Sequence, residues 1–304
     1  MFTPQGPTLR ELAVQALSSV EHGYDLLAPK FDHTPFRTPD SILDAVATAL
    51  DRIGPFDRGL DLCCGTGAGM EVLRELCRES VTGVDISAGM LAVGRGRVDA
   101  ARARERGEAE APERGEAEAP GRGEAEALER GEAEAPENGG VNAPERGEAK
   151  TPGRALPDTA PRVAWVRGDA RALPFAPAFD LVVSFGAFGH FLPRELPGLF
   201  AEVHSVLRPG GRFAFPIMAP PRPSSPAYWA LLAFDLVMRV RNAVWRPPFV
   251  MYYRAFRLDD VRRELERAGF EVELHALPEF GRRPDDSPRC RMVVATRVSG
   301  PTSA

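Results

Sequence analysis

A chain of 304 residues with 43% hydrophobic and 27% charged residues matches ordinary globular usage and can bury a sizeable core in one or two domains. Its four cysteines, Cys63, Cys64, Cys77 and Cys290, form no Cys-x-x-Cys pair and have no histidine cluster nearby, so neither a metal site nor a disulfide framework is expected. The start, Met1 to Pro7, has neither the basic residues nor the apolar block of a signal peptide, which makes a cytoplasmic location the expectation.

Taken in chain order, the predicted elements alternate. Helical spacing predicts helices at Leu9 to Leu17 and Ser41 to Ile53. A strand at Gly59 to Cys64, a helix at Ala68 to Arg78, a strand at Val81 to Asp85 and a helix at Ser87 to Arg104 follow. Beyond residue 152, strands are predicted at Val163 to Arg167, Leu181 to Ser184, Arg212 to Pro216, Phe270 to Leu277 and Arg291 to Arg297, with helices at Arg194 to Leu207 and Leu258 to Ala268. Such an order predicts an α/β protein whose parallel sheet is covered on both faces.

Chemistry enters at the first strand. Leu60-Asp61-Leu62-Cys63-Cys64 runs into Gly65-Thr66-Gly67-Ala68-Gly69, where the chain must turn sharply into a helix. Glycine permits positive φ and lets a ligand lie against bare backbone. Asp85 ends the next strand, where a carboxylate can accept both hydroxyl protons of a ribose. A dinucleotide fingerprint needs Gly-x-Gly-x-x-Gly, but counting from Gly65 and Gly67 the third position is Met70, which disfavours a nicotinamide enzyme. No Gly-x-x-x-x-Gly-Lys-Ser/Thr run supports a triphosphate loop either.

Five stretches in order resemble the motifs of the class I S-adenosylmethionine-dependent methyltransferases. They are Leu60 to Gly69, Gly83-Val84-Asp85-Ile86-Ser87, Gly168-Asp169-Ala170, Phe179 to Ser184 and Leu207 to Gly211, with Leu258 to Phe270 similar to the last helix and its turn. The resemblance implies a doubly wound, mostly parallel seven-stranded sheet with helices on both faces, the Rossmann-like methyltransferase fold, with an antiparallel final strand. It implies S-adenosyl-L-methionine as cofactor. Asp61, Gly65 and Gly67 would surround the methionine portion and its amino group, and Asp85 would take the ribose. Asp169 would meet the adenine amino group with Ala170 beside it, and Ile86 and Met90 would sandwich the ring. Cys63 and Ser184 complete the cofactor-binding set; no metal ligand is expected.

Residues 105–152 fall into six octads, beginning ERGEAEAP and ending ERGEAKTP. The unit offers little but alanine to stack, and recurrent proline and glycine break any helix, so disorder is the expectation. The insert holds fourteen Glu against six Arg or Lys, a net of −8; set against −5 for the whole chain, the remainder is mildly basic at +3. That balance is too small to argue for nucleic acid as a partner. Residues 1–104 and 153–304 are therefore expected to form one methyltransferase domain around a disordered acidic insertion, whose role and any oligomeric state the sequence leaves open.

Ser184-Phe185-Gly186-Ala187-Phe188-Gly189-His190-Phe191 follows the fourth strand, where a transferable methyl group should meet its acceptor. The Asn/Asp-Pro-Pro-aromatic run that DNA amino-methyltransferases share is absent there, as is the Pro-Cys pair of cytosine C5 chemistry. His190 is the candidate general base, with packing beside the cofactor as its alternative. The aromatic-rich segment 216–257 is expected to fold over the site as a substrate lid, although an amphipathic surface helix stays open; Trp229 to Met238 is too short to span a membrane. Tyr24, Phe188, Tyr228, Trp229 and Tyr252 are the candidate substrate contacts, and Tyr24-Asp25 and Phe31-Asp32 resemble aromatic-acid pairs that close over the cofactor. The expected reaction is methyl transfer to a small, hydrophobic or aromatic molecule. The alternative is a regulatory chain that binds the same nucleoside without transferring the methyl group.

The insert joins a helix to a strand, and such connections lie at the edge of the sheet opposite the ligand crevice. Deleting Glu105 to Pro152 is expected to leave cofactor affinity and turnover within a few-fold, as calorimetry and a methyl-transfer assay would check, and a loss beyond about tenfold would overturn this.

Overall fold

A computed structural model of the chain describes residues 6–34, 36–105, 160–252 and 256–298. Apart from Glu105, the octad repeat lies outside the described residues. Seven strands form one sheet in the order β3-β2-β1-β4-β5-β7-β6. They are β1 (Phe56–Leu62), β2 (Cys77–Asp85), β3 (Arg162–Arg167), β4 (Phe179–Val183), β5 (Leu207–Met218), β6 (Phe270–Ala276) and β7 (Cys290–Arg297). The first five run parallel, and β7 lies antiparallel between β5 and β6, as the sequence implied. The chain leaves β1 toward β2 on one side and returns through β3 to β4 on the other. A crevice therefore opens between the carboxyl ends of β1 and β4.

Side-chain alternation explains the two covered faces. Val182, Phe213 and Phe215 point to the side closed by α6 (Leu196–Val206) and α8 (Leu258–Arg267), where Leu199, Phe200, Val203, Val261 and Leu265 are buried. Leu181, Val183 and Ala214 point to the side closed by α3 (Asp40–Asp51) and α4 (Ala68–Leu76), against Leu43, Val46, Leu50 and Leu73. A strand covered on both sides reads as a continuous apolar run, which is why Leu181-Val182-Val183 was legible as a strand.

Ahead of the sheet stand α1 (Leu9–Leu17), capped by Thr8 and Glu11 in a capping box, and α2 (Val20–Leu27), whose cap Ser19 accepts from the His22 amide. The sequence pattern did not predict α2. The helix expected to reach Arg78 ends instead at Leu76, and β2 begins at Cys77, paired with Phe56. Helical spacing continues through Cys77 and Arg78, but there the ladder with β1 and the Arg78–Asp57 ion pair at 2.6 Å prevail. After the fifth strand, in the segment expected as a lid with an amphipathic helix as its alternative, comes a 19-residue helix, α7 (Pro226–Val244). Between β2 and β3, α5 (Ala88–Glu105) completes the set.

One close approach constrains the glycine turn. Gly67 has φ +94°, and a Cβ there would stand 2.4 Å from the Trp165 ring on β3. A Cβ at Gly94 on α5 would meet the same ring at 2.4 Å, so the indole is clasped between two bare backbones. Gly67→Ala combines left-handed strain with overpacking, and is expected to cost about 2 kcal/mol or more in urea unfolding.

Candidate active site

The carboxyl ends of β1, β2 and β4 open into a cavity of about 510 Å³, within the size range of small-molecule sites. Its floor is the turn after β1, where Cys63, Gly65 and Gly67 all adopt positive φ (58°, 53° and 94°). The turn is held from beneath: the Cys64 amide donates to Val84 O at 3.0 Å, and the Gly65 amide donates to Asp85 Oδ2 at 2.9 Å. A Cβ at Gly65 would meet nothing within 4 Å, so this backbone faces open space. At Gly69 a Cβ would lie 2.6 Å from Asp61 Oδ2 and 2.7 Å from the Phe185 ring, so the missing side chain makes room for both.

Asp61 is 1% exposed and lines the cavity, yet its Oδ2 has no hydrogen-bond partner. Burial, then the neighbouring Asp85 charge, pushes this carboxyl well above the usual range, opposed by a backbone hydrogen bond from Met70. An orphaned buried acceptor on a residue of the cavity wall fits a cationic donor such as an amino group. Asp85 is also raised by burial, but the amides of Ser87 (2.8 Å) and Gly65 (2.9 Å) donate to its two oxygens and favour the charged form. The bare backbone at Gly65, the unpartnered Asp61 and the strand-end Asp85 together fit a nucleoside carrying an amino acid.

The acids of the N-terminal segment fasten that segment to the same turns. Asp25 accepts from Ser87 Oγ at 2.6 Å and from the Gly89 amide at 2.8 Å, at the head of α5. Asp32 accepts from Thr66 Oγ1 at 2.8 Å and pairs with Arg37 and Arg97. Meanwhile Tyr24, Phe31, Phe36 and Arg37 turn toward the cavity. On the far wall, Arg171 holds Asp169 with bonds of 2.7 to 3.1 Å and reaches Glu195 at 3.0 Å. Hydrogen bonding to Arg171 lowers the Asp169 carboxyl.

His190 sits where three distant segments meet. Its Nδ1 lies 2.7 Å from the Val250 carbonyl and its Nε2 lies 2.8 Å from Tyr24 Oη. A carbonyl only accepts, so Nδ1 carries the proton and donates, and a neutral ring then accepts the Tyr24 hydroxyl at Nε2. Burial lowers the imidazole below its ordinary 6.5, which favours that neutral form.

Of the residues singled out from the sequence, Asp61, Cys63, Gly65, Asp85, Ile86, Met90, Asp169, Ala170, His190 and Tyr24 all line this one cavity. The others do not line it. Gly67 shapes the turn against Trp165, and Ser184 Oγ donates to Leu62 O at 2.9 Å, tying β4 to β1. Phe188 is core, stacked on Phe256 at 4.3 Å and set against Phe215. Tyr228 and Trp229 stand together on α7, with Trp229 60% exposed. Tyr252 is buried beneath Arg239, and its hydroxyl accepts from Asn242. The expected lid reaches the cavity through Pro248 and Val250 instead. The sequence reading missed Phe36, Arg37, Arg171 and Phe191 on the wall. Of these, Arg171, two residues beyond Asp169, and Phe191, next to His190 at the end of the run after the fourth strand, carried a local signal. Among the described residues no cluster of His, Cys, Asp or Glu could hold a metal ion, and no helix is long and apolar enough to cross a membrane.

A strand order of this kind, with the reversed last strand, a glycine turn over the switch point and an acid closing the second strand, defines a class I methyltransferase, whose methyl donor is S-adenosylmethionine. The family model described as a methyltransferase domain matches residues 32–275, and the chain belongs to that family. An uncharacterised methyltransferase of Synechocystis is 35% identical over 113 residues, 37% of this chain and 48% of the relative. A ubiquinone/menaquinone biosynthesis C-methyltransferase of Paracoccus denitrificans is 51% identical over 55 residues, 17% of this chain and 21% of the relative. The chain thus spans less than half the length of these curated relatives. Among solved structures, a methyltransferase of Methanosarcina mazei shares the fold with a TM-score of 0.50 at 15% identity, covering 83% of this chain and 98% of that one. A Haloferax volcanii methyltransferase complex gives 0.51 at 15%, covering 93% and 99%.

Asp61→Asn removes a charge that burial disfavours. At neutral pH it is expected to raise the melting temperature by about 2–4 °C, while weakening S-adenosylmethionine at least about tenfold. In the unmutated protein the carboxyl, raised above its unfolded value, takes up its proton as the pH falls, so its cost to the fold disappears and its grip on an amino group is lost. Melts and calorimetry on both proteins should therefore converge as the pH is lowered through the raised carboxyl's titration.

Proposed function

We propose that this enzyme transfers a methyl group to a small hydrophobic or aromatic acceptor whose proton is drawn off through Tyr24 and His190, and that nucleic acid is not its substrate. The observation that carries the reading is the hydrogen-bonded pair, Tyr24 Oη to His190 Nε2 at 2.8 Å, on the wall of the same cavity as Asp61 and Asp85. S-adenosylmethionine supplies a methyl carbon on a positively charged sulfur, which leaves neutral when displaced in line. The chain then has to orient the partners, exclude water and receive a proton.

In this reading the Asp61 carboxylate holds the amino group and the Gly65 backbone lies along the ligand. Asp85 accepts from the ribose hydroxyls, while Ile86 and Met90 cover the adenine beside Asp169 and Ala170. Phe31, Phe36, Phe185, Phe191 and Val250 supply apolar wall to an acceptor. As the acceptor atom bonds to the methyl carbon, its proton passes to Tyr24 Oη while the tyrosine proton passes to His190 Nε2. Val250 O fixes the tautomer throughout. The curated relatives named as quinone-pathway C-methyltransferases are compatible with an aromatic acceptor of this kind, although they match only short stretches of the chain.

His190→Ala and Tyr24→Phe are each expected to lower turnover by about 100-fold while leaving cofactor affinity within about twofold. Because burial lowers the imidazole, the turnover of the unmutated enzyme should rise with pH through a value below 6.5 and be level at neutrality. A screen of metabolite extracts with methyl-labelled cofactor finds the acceptor. A loss under about threefold in His190→Ala, with structure intact, would remove the base role.

A further inference from the structure

Helix α7 turns its apolar side the wrong way for a soluble domain. Trp229, Leu236, Val237, Val240 and Val244 are 60, 60, 63, 56 and 78% exposed, whereas Asp235 and Met238 are buried. At about 100° per residue the five exposed side chains, with Ala233 among them, fall within an arc of about 100°, the width of a stripe that an amphipathic helix ordinarily buries. Trp245, half exposed at the end of the helix, donates through Nε1 to Leu17 O and joins the exposed Val14 and Leu17 of α1 to the patch. Scattered exposed apolar residues need no account, but a contiguous stripe rimmed by polar groups marks a docking surface.

Charge decides what docks there. From Pro216 to Arg257 the sequence has six arginines and a single acid, Asp235, and that acid is buried. On the helical wheel Arg239 flanks the apolar stripe on one side and Arg241 on the other. Arg241 is fastened to Ser18 O and Pro247 O, while Arg239 lies over the Tyr252 ring and is exposed, as is Arg246. A second copy facing this surface would set arginines against arginines, with no exposed acid of the segment to neutralise them. An anionic bilayer surface instead takes the apolar stripe at the headgroup boundary and meets the flanking guanidinium groups with phosphate. Trp229 and Trp245, both exposed, add amphipathic rings of the kind that sit at the headgroup level.

We propose that α7 is an interfacial helix that lies flat on anionic lipid and seats the enzyme there. The chain leaving it forms part of the cavity wall at Pro248 and Val250, so seating brings the cavity close to the lipid. This docking stands apart from the proton-transfer reading above, since it requires no acceptor and no turnover.

Sedimentation of the full chain with phosphatidylcholine vesicles, with and without phosphatidylglycerol, tests it. Binding is expected to be at least about tenfold stronger with the anionic lipid, to fall with salt and to shift tryptophan emission to the blue. The double substitution Leu236→Glu with Val240→Glu, at exposed positions, should reduce binding at least about tenfold with circular dichroism and melting unchanged, and Arg246→Glu by about fivefold. Equal binding of the double variant and the unmutated chain, or no binding to either vesicle, would overturn the proposal. So would a lipid-free dimer, seen by analytical ultracentrifugation, that the double variant dissolves, because a second copy would then cover the face.

Discussion

The structure around the site depends on one carboxylate. Asp85, at the end of β2, accepts the Gly65 amide with one oxygen and the Ser87 amide with the other, at 2.9 and 2.8 Å. Those two bonds fix the glycine turn after β1 to the head of α5, so two turns move as one piece. Because the turn is held from below by Asp85 and by Val84 O, its outer surface carries no obligation and remains free for a ligand. The arrangement is preorganised at some cost, since burial raises both Asp61 and Asp85 above the ordinary carboxylate range.

On this base the segments outside the sheet are assembled. Asp25 bonds to Ser87 and Gly89, and Asp32 to Thr66, so the N-terminal region is hung on the very turns that Asp85 joins. That attachment carries Tyr24 to His190. From the other direction the chain after α7 brings Val250 O to the opposite nitrogen of the same ring. The imidazole is thereby pinned between two additions to the common sheet, in a tautomer chosen by a main-chain carbonyl. Phe249, Met251, Tyr252 and Met238 form the small core that holds this second arm, with Val20 and Tyr24 packed against it. α7 spends its inner face on that core and leaves its broader apolar face outward.

Much of this was legible in the residues alone, because the signals concerned are local. A run such as Leu181-Val182-Val183 announces a buried strand by composition, and a glycine turn followed by a strand-end acid announces a nucleoside site by spacing. Ten of the residues singled out from the sequence line a single cavity. Gly67 and Ser184, chosen by motif, serve the turn and the tie between β4 and β1 instead, whereas Phe188, Tyr228, Trp229 and Tyr252 were chosen as aromatic residues in the expected segments, and aromatic character does not say which way a side chain faces. The orientation of helix α7 was hidden for a related reason: Met238 and Phe234 on its inner side and the Trp229 to Val244 stripe on its outer side are all apolar, so composition did not say which side packs inward.

The sequence by itself determined the alternating order of strands and helices, the reversed last strand by family resemblance, and the carboxylates at the strand ends, since each follows from a short run whose periodicity or motif is complete within itself. Only the tertiary structure decided that β2 begins at Cys77 against Phe56, that Arg171 reaches Glu195, and that Tyr24, His190 and Val250 make one hydrogen-bonded line. The physical reason is separation. Tyr24 and His190 are 166 residues apart and His190 and Val250 are 60 apart, and a contact between such residues exists only once the sheet has brought their backbones together.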